Sequence, residues 1–269
     1  MNPIMMSHHD TPMARSFKIQ MRVIGALLMR EVLTRYGRHN IGFLWLFVEP
    51  MLFTLGVTAL WSALESVHGS KLPIVGFAVT GYSSVVLWRN CANRCALAIQ
   101  PNLSLLYHRN VKILDIFVAR LLLEIGGATL SLIILIIIFM AVGLMSAPAD
   151  IGRMVAGWMI LVFFSIALGL FVGALTERSD LAERLWHPIS YFLFPVSGAV
   201  YMVDWLPQNL QPLALYLPMV SGVELLRAGY YGHLVRAHYE PTYAIAVSLA
   251  LLFVALVLVR QAAGRVQPE

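Results

Sequence analysis

The residues of this chain able to act on a charged or polar partner are few, and most lie in or beside long apolar runs. Arg89 and Arg94 fall within Ile74–Ala98, Arg120 and Glu124 stand four apart near the start of Leu114–Met145, and Glu49 precedes Pro50. An ionised group inside an apolar run is costly, so such residues face a pathway, a partner or one another. Each also has a plainer reading. Arg120 and Glu124 are spaced to pair on one helix face. The stems of Arg89 and Arg94 can carry their guanidinium groups to headgroup level; no single nearby acid neutralises both, though Glu124 can take one of them. Glu49 can serve as a buried structural hydrogen-bond acceptor.

Covalent or metal chemistry finds little support. Ser197 stands in PVSGA and Ser221 in MVSGV, and neither is the GxSG of an intramembrane serine protease. His187 opens an apolar run, while His233 and His238 lie between runs. There is no HExxH and no paired-aspartate signature, so neither a catalytic residue nor a metal ligand is expected. Cys91 and Cys95 form CxxxC, which is not a redox CxxC, and they read as small helix residues. No GxxxxGK[ST] occurs, and none of the three lysines, Lys18, Lys71 and Lys112, follows a glycine-rich loop. The chain is therefore not expected to bind ATP through a P-loop, and no cofactor is expected in it.

The elements that must position these groups are membrane helices. Of 269 residues, 59% are hydrophobic and only 12% charged, too little charge to cover a soluble surface. Runs of about twenty apolar residues match a bilayer core. Six spans are predicted, at 41–64, 74–98, 114–145, 151–175, 186–203 and 241–259, within a membrane domain of 41–262. A cytoplasmic arm (1–40) precedes it and a short tail (263–269) follows. No cleavable signal is expected, because six basic residues, Arg15 to Arg38, precede the first apolar run.

Within the arm, Ala14–Tyr36 reads as an amphipathic helix lying at the membrane surface, with Phe17, Met21, Ile24 and Leu28 on one face. Between the fifth and sixth spans, 204–240 holds short apolar pieces broken by Pro207, Pro212, Pro218 and Gly222. Short re-entrant helices suit it best. The expected class is thus an all-α polytopic membrane protein.

The net charge of +5 reads as membrane orientation rather than nucleic-acid binding. With both termini in the cytoplasm, the inner segments hold the arm's six basic residues plus Arg109, Lys112, Arg178, Arg184, Arg260 and Arg265. The outer segments hold Lys71, Arg153, Arg227 and Arg236. In the fourth span, Ser165, Gly169 and Gly173 make a small-residue stripe for close helix packing, within the chain or against a second copy.

Three stretches carry a resemblance. REVLTRYGRHNIGFLWLFVEPM (Arg30–Met51) resembles the entry of type-2 ABC exporter permeases. PNLSLLYHRNVKILDIFVARLL (Pro101–Leu122) is similar to their coupling segment. Ser197–Gly232, with GVELLRAGYYG, resembles their fifth span and external re-entrant helices. Glu49–Pro50 and GVELLRAGYYG lean towards the capsular-polysaccharide, KpsM-like members. YHRNVKI departs from the phenylalanine–proline pair of many members.

The resemblance implies a multi-pass permease of the bacterial inner membrane that exports lipid-linked, acidic polysaccharide. It implies two copies of the chain and two copies of a separate ATPase, which binds ATP and Mg. A periplasmic co-polymerase and an outer-membrane export protein are further implied partners. Export of an O-antigen or teichoic-type polymer, or of a drug or lipid, is the alternative. For such a cargo, Tyr82, Trp88, Tyr191 and Tyr201 are candidates to stack on sugar rings, and Arg89 and Arg94 to meet acidic groups. Packing between helices is an equal alternative for each aromatic. Glu49 and Glu124 are the candidate intramembrane acids. Leu105, Leu106, Tyr107 and Arg109 are candidates for the ATPase contact.

Overall fold

The structure is a computed structural model that describes residues 12–36, 48, 51, 52, 54–60, 72–106 and 110–266. Among them every regular element is helical. This is the expected outcome for apolar chain, whose backbone groups must be satisfied without water. Helix α1 spans Pro12–Tyr36, α2 Ile74–Cys95, α3 Ile113–Ala141, α4 Ile151–Thr176, α5 Asp180–Val196, α6 Pro218–Tyr231 and α7 Pro241–Val266. Only fragments of the predicted first span, chiefly the helical residues 54–60, fall within the described residues.

Among the described residues, three helices are long and apolar enough to cross a membrane: α3, α4 and Pro241–Ala262 of α7. Helix α3 stops four residues before its predicted end. Gly143 takes φ +79°, and Leu144 N and Met145 N donate back to Phe139 O at 2.8 and 3.1 Å. A left-handed glycine closes a helix in this way because it has no Cβ to clash. Helix α1 presents Phe17, Met21 and Leu33 outwards and buries Ile24, and it packs along α3.

Helix α4 is the hub, packed by α2, α6 and α7. Its small-residue stripe is used within the chain. A Cβ on Gly169 would lie 3.2 Å from Cys91 O, and one on Gly173 would lie 2.9 Å from Cys95 O and 2.5 Å from the Phe117 ring. The two buried cysteines are thus the small residues on the α2 side of a close helix crossing.

Helix α5 begins six residues before the predicted fifth span. Ser179 caps it, its hydroxyl accepting from Ala182 N at 3.4 Å, and Asp180 and Glu183 occupy the first turn, where acids suit the helix dipole. It ends at Val196, and Ser197–Met202 runs on irregularly past Gly198, with φ +80°.

Helix α6 is buried at all 14 of its residues. Its length of about 21 Å falls short of the ~30 Å hydrocarbon core, too short to span it. Two glycines let it approach α4: a Cβ on Gly157 would sit 2.3 Å from Leu226 N, and one on Gly229 would sit 2.2 Å from Met154 N.

Candidate functional site

Residues 82, 89 and 93 recur seven and four apart, so they share one face of α2. That face meets α5 in a ladder. Tyr82 packs edge-on against Phe194, with centroids 6.1 Å apart. The Arg89 guanidinium lies 4.2 Å from the centre of the Tyr191 ring. Trp186 Nε1 donates to Asn93 Oδ1 at 2.8 Å. Tyr191 remains 63% exposed, so the seam offers an aromatic ring and a cation side by side. A cation on an aromatic face is worth about 0.5–1 kcal/mol at an exposed site. The structure therefore brings together Tyr82, Arg89 and Tyr191 and adds Asn93, Trp186 and Phe194. Of these additions, Asn93 alone carried a signal, as a polar residue on the same stripe.

The other predicted channel residues lie elsewhere. Trp88 is fully buried within the core, where a polymer cannot reach it in this conformation. Tyr201 sits at the far end of α5, its hydroxyl donating to Val196 O at 2.9 Å. Arg94 has its Nε 3.6 Å from Glu124 Oε1.

That last contact settles how the α3 charges pair. Arg120 and Glu124 share a face, as their spacing requires, but each turns to a different helix. Arg120 Nε lies 3.4 Å from Glu31 Oε1 of α1, and its Nη1 donates to Arg94 O at 2.6 Å. Glu31, Arg120, Arg94 and Glu124 thereby tie α1, α3 and α2 together. Buried charges persist where paired in this way.

The predicted coupling segment follows α2. Gln100–Asn102 forms a single 3-10 turn and Leu103–Leu106 one helical turn. Neighbours hold it on two sides. Arg30 Nη1 of α1 donates to Asn102 Oδ1 at 2.6 Å. At the end of α4, Ile99 N donates to Glu177 Oε1 at 2.9 Å and Leu97 N to Thr176 Oγ1 at 3.4 Å. Leu106 turns inwards and Leu105 is half-buried, while Leu103 is exposed. Tyr107, Arg109 and Glu49 lie outside the described residues.

At the opposite end of α2 stands a cluster that sequence reading missed. Arg227, counted above among exterior cations, is fully buried. Its Nη1 donates to Gly198 O and Tyr201 O, both at 2.7 Å, and its Nη2 to Ala199 O at 2.5 Å. The guanidinium also lies 3.7 Å from the centre of the Phe77 ring. Gly81 makes room, since a Cβ there would come within 2.3 Å of Ala199 O. Nearby Glu224, equally buried, accepts from Val203 N and His238 N, each at 3.0 Å. In this segment between spans, burial pushes the Arg227 guanidinium down to about 10. Burial also pushes the Glu224 carboxyl up, and the two backbone N–H groups pull it back. The sole hint in sequence was a glutamate and an arginine three apart in an apolar helix too short to span.

Comparison with known proteins gives a consistent result. The family model described as ABC-2 type transporter matches residues 22–231. The chain is 43% identical over 261 residues to the capsule polysaccharide export inner-membrane protein CtrC of Neisseria meningitidis serogroup B, covering 97% of this chain and 98% of that one. It is 41% identical over 260 residues to the capsule polysaccharide export inner-membrane protein BexB of Haemophilus influenzae, covering 97% and 98%. With the polysialic acid transport protein KpsM of Escherichia coli it shares 25% identity over 249 residues, covering 92% and 96%.

Proposed function

The chain belongs to the ABC-2 type transporter family, and from that premise we propose that it is the membrane permease of an ATP-driven exporter of capsular polysaccharide in a bacterial inner membrane. The observation that carries this reading is similarity to capsule-export inner-membrane proteins from end to end of both chains. It acts as a transport subunit. ATP and Mg are bound by a separate ATPase, and two copies of the chain assemble with two of the ATPase. A periplasmic co-polymerase and an outer-membrane protein complete the route.

Six spans account for the chain. Helices α3, α4 and α7 supply three, and α2, α5 with its following turn, and 41–64 supply the others. An even number leaves both termini on one side, which the lysine and arginine bias assigns to the cytoplasm. The segment 100–112 is then the ATPase contact. The tie of its Asn102 to Arg30, and that of the adjoining Ile99 to Glu177, transmit a push on that segment to α1 and α4 together. The seam of Tyr82, Arg89 and Tyr191 conducts an acidic polymer, with Arg89 meeting each anionic group briefly. Arg94 is neutralised by Glu124 and serves to tie helices.

Deleting the gene should abolish surface polysaccharide and leave polymer inside the cell, and the full chain in trans should restore export. Undiminished surface polymer in the deletion strain would overturn the assignment.

A further inference from the structure

One feature of the α6 end plays no part in the seam. The turn Gln211–Leu215 and the connection from α6 into α7 enclose an open groove of about 560 Å³, lined chiefly by Gln208, Gln211, Tyr216, His238, Glu240 and Tyr243. Its volume falls within the roughly 300–1,000 Å³ of small-molecule clefts.

The walls are held in place. Tyr216 and Tyr243 pack edge to face with centroids 6.1 Å apart, and Tyr243 Oη donates to Tyr216 O at 3.3 Å. Gln211 Nε2 donates to Leu206 O at 3.0 Å, which orients its amide. The floor is bound to α6: His238 N donates to Glu224 Oε2 at 3.0 Å and Glu240 N to Ser221 Oγ at 3.2 Å.

What the walls present is selective. Tyr216 is 62% exposed, so most of its ring is uncovered. Glu240 offers an exposed carboxylate. Rings with uncovered surface beside several hydrogen-bonding groups suit a molecule with apolar C–H faces and a hydroxyl at nearly every carbon. The Glu240 carboxylate disfavours an anionic group at this spot.

We propose that this groove is a saccharide-binding site, which seats a neutral sugar ring on Tyr216 and takes its hydroxyl groups on Glu240 and the glutamines Gln208 and Gln211. The inference rests on the polysaccharide reading above, since the exported chain is what supplies the saccharide. The groove is then a station on the route, separate from the α2–α5 seam.

The test uses the full chain in lipid nanodiscs. The probe is short fragments of the surface polysaccharide of the strain that carries the gene, released by mild acid, with binding read by saturation-transfer NMR. The unaltered protein should transfer saturation to sugar ring protons. Tyr216→Ala and Glu240→Gln should each weaken binding about tenfold, while Tyr216→Phe retains it. Because Glu240 lies on an exposed connection, Glu240→Gln keeps the test valid even where Tyr216→Ala is unstable.

Absence of transfer with the unaltered protein would overturn the proposal. So would equal binding by Glu240→Gln, or a peptide rather than a sugar cross-linking to a photoreactive probe at Gln208. A purely interfacial role for the tyrosines predicts poorer membrane insertion of Tyr216→Ala with no change for Glu240→Gln, and that result would also overturn it. The function assignment is read separately. A strain that loses surface polymer on deletion while fragments fail to bind retains the exporter and loses only the groove.

Discussion

Replacing Arg227 with methionine is the most informative single perturbation. Methionine has similar length and no donors, so the carbonyl oxygens of Gly198, Ala199 and Tyr201 lose their charged partner together. Each buried acceptor left bare costs about 1–3 kcal/mol. Part of that sum is offset because a guanidinium no longer has to be desolvated, leaving a net loss of about 3–5 kcal/mol. At about 2–4 °C per kcal/mol for a chain of this size, the unfolding midpoint of the detergent-solubilised protein should fall by roughly 10 °C. Gly81→Ala tests the same cage from the other side, because its Cβ would lie 2.5 Å from Arg227 Nη2. The double variant should cost clearly less than the sum of the two, since both break one contact. A midpoint within about 2 °C of the unaltered protein for Arg227→Met, or strict additivity in the double, would refute the reasoning.

Other outcomes follow from the same geometry. Arg89→Gln with Tyr191→Ala should lower surface polymer per inserted molecule while leaving insertion and ATPase binding intact; unchanged export per molecule removes the seam from the route. Gly173→Leu should abolish insertion or stable expression, since even a Cβ there meets Cys95 O and the Phe117 ring, whereas Gly126→Leu, with open space around it, should be tolerated. Asn102→Ala and Glu177→Ala, which release the segment after α2, should leave ATPase association intact but reduce export per ATP hydrolysed, measured in proteoliposomes. Single cysteines at Ser7 and Gln208 should be labelled from opposite sides of the membrane, and labelling from one side refutes the topology.

Continuous apolar runs made α3, α4 and α7 legible in sequence, because membrane helices need only length and hydrophobicity to declare themselves. The start of α5 was not legible in that way. Its cap, Ser179 with Asp180 and Glu183, lies in a charged stretch that hydropathy reads as loop, and only the polar chemistry of the helix start marks it. The stripe of Ser165, Gly169 and Gly173 and the pair Cys91 and Cys95 were each readable as small residues. That they face one another depends on helix rotation, which no single helix encodes. Pairing of charges was legible in part: Glu124 was an available partner for Arg89 or Arg94 and meets Arg94, whereas the four-residue spacing of Arg120 and Glu124 gave no sign that Arg120 turns to Glu31 of α1. Arg227 was the largest surprise, since a cation between spans ordinarily faces water and its carbonyl partners carry no signature in side-chain identity. Within the seam, Tyr82, Arg89 and Tyr191 were legible as types, and their union was not.

The carbonyl cage around Arg227 also bears on how the chain is made. Its parts come from three places in order of synthesis: Phe77 on α2, then the turn 198–201, then Arg227 itself. A nascent chain that has delivered α2 and the turn still holds bare carbonyls, and one that has just delivered α6 holds a bare cation. Neither half is at rest in a membrane until the other arrives. A chain that ends between Tyr201 and Arg227 therefore holds the carbonyls of the cage without the cation that satisfies them.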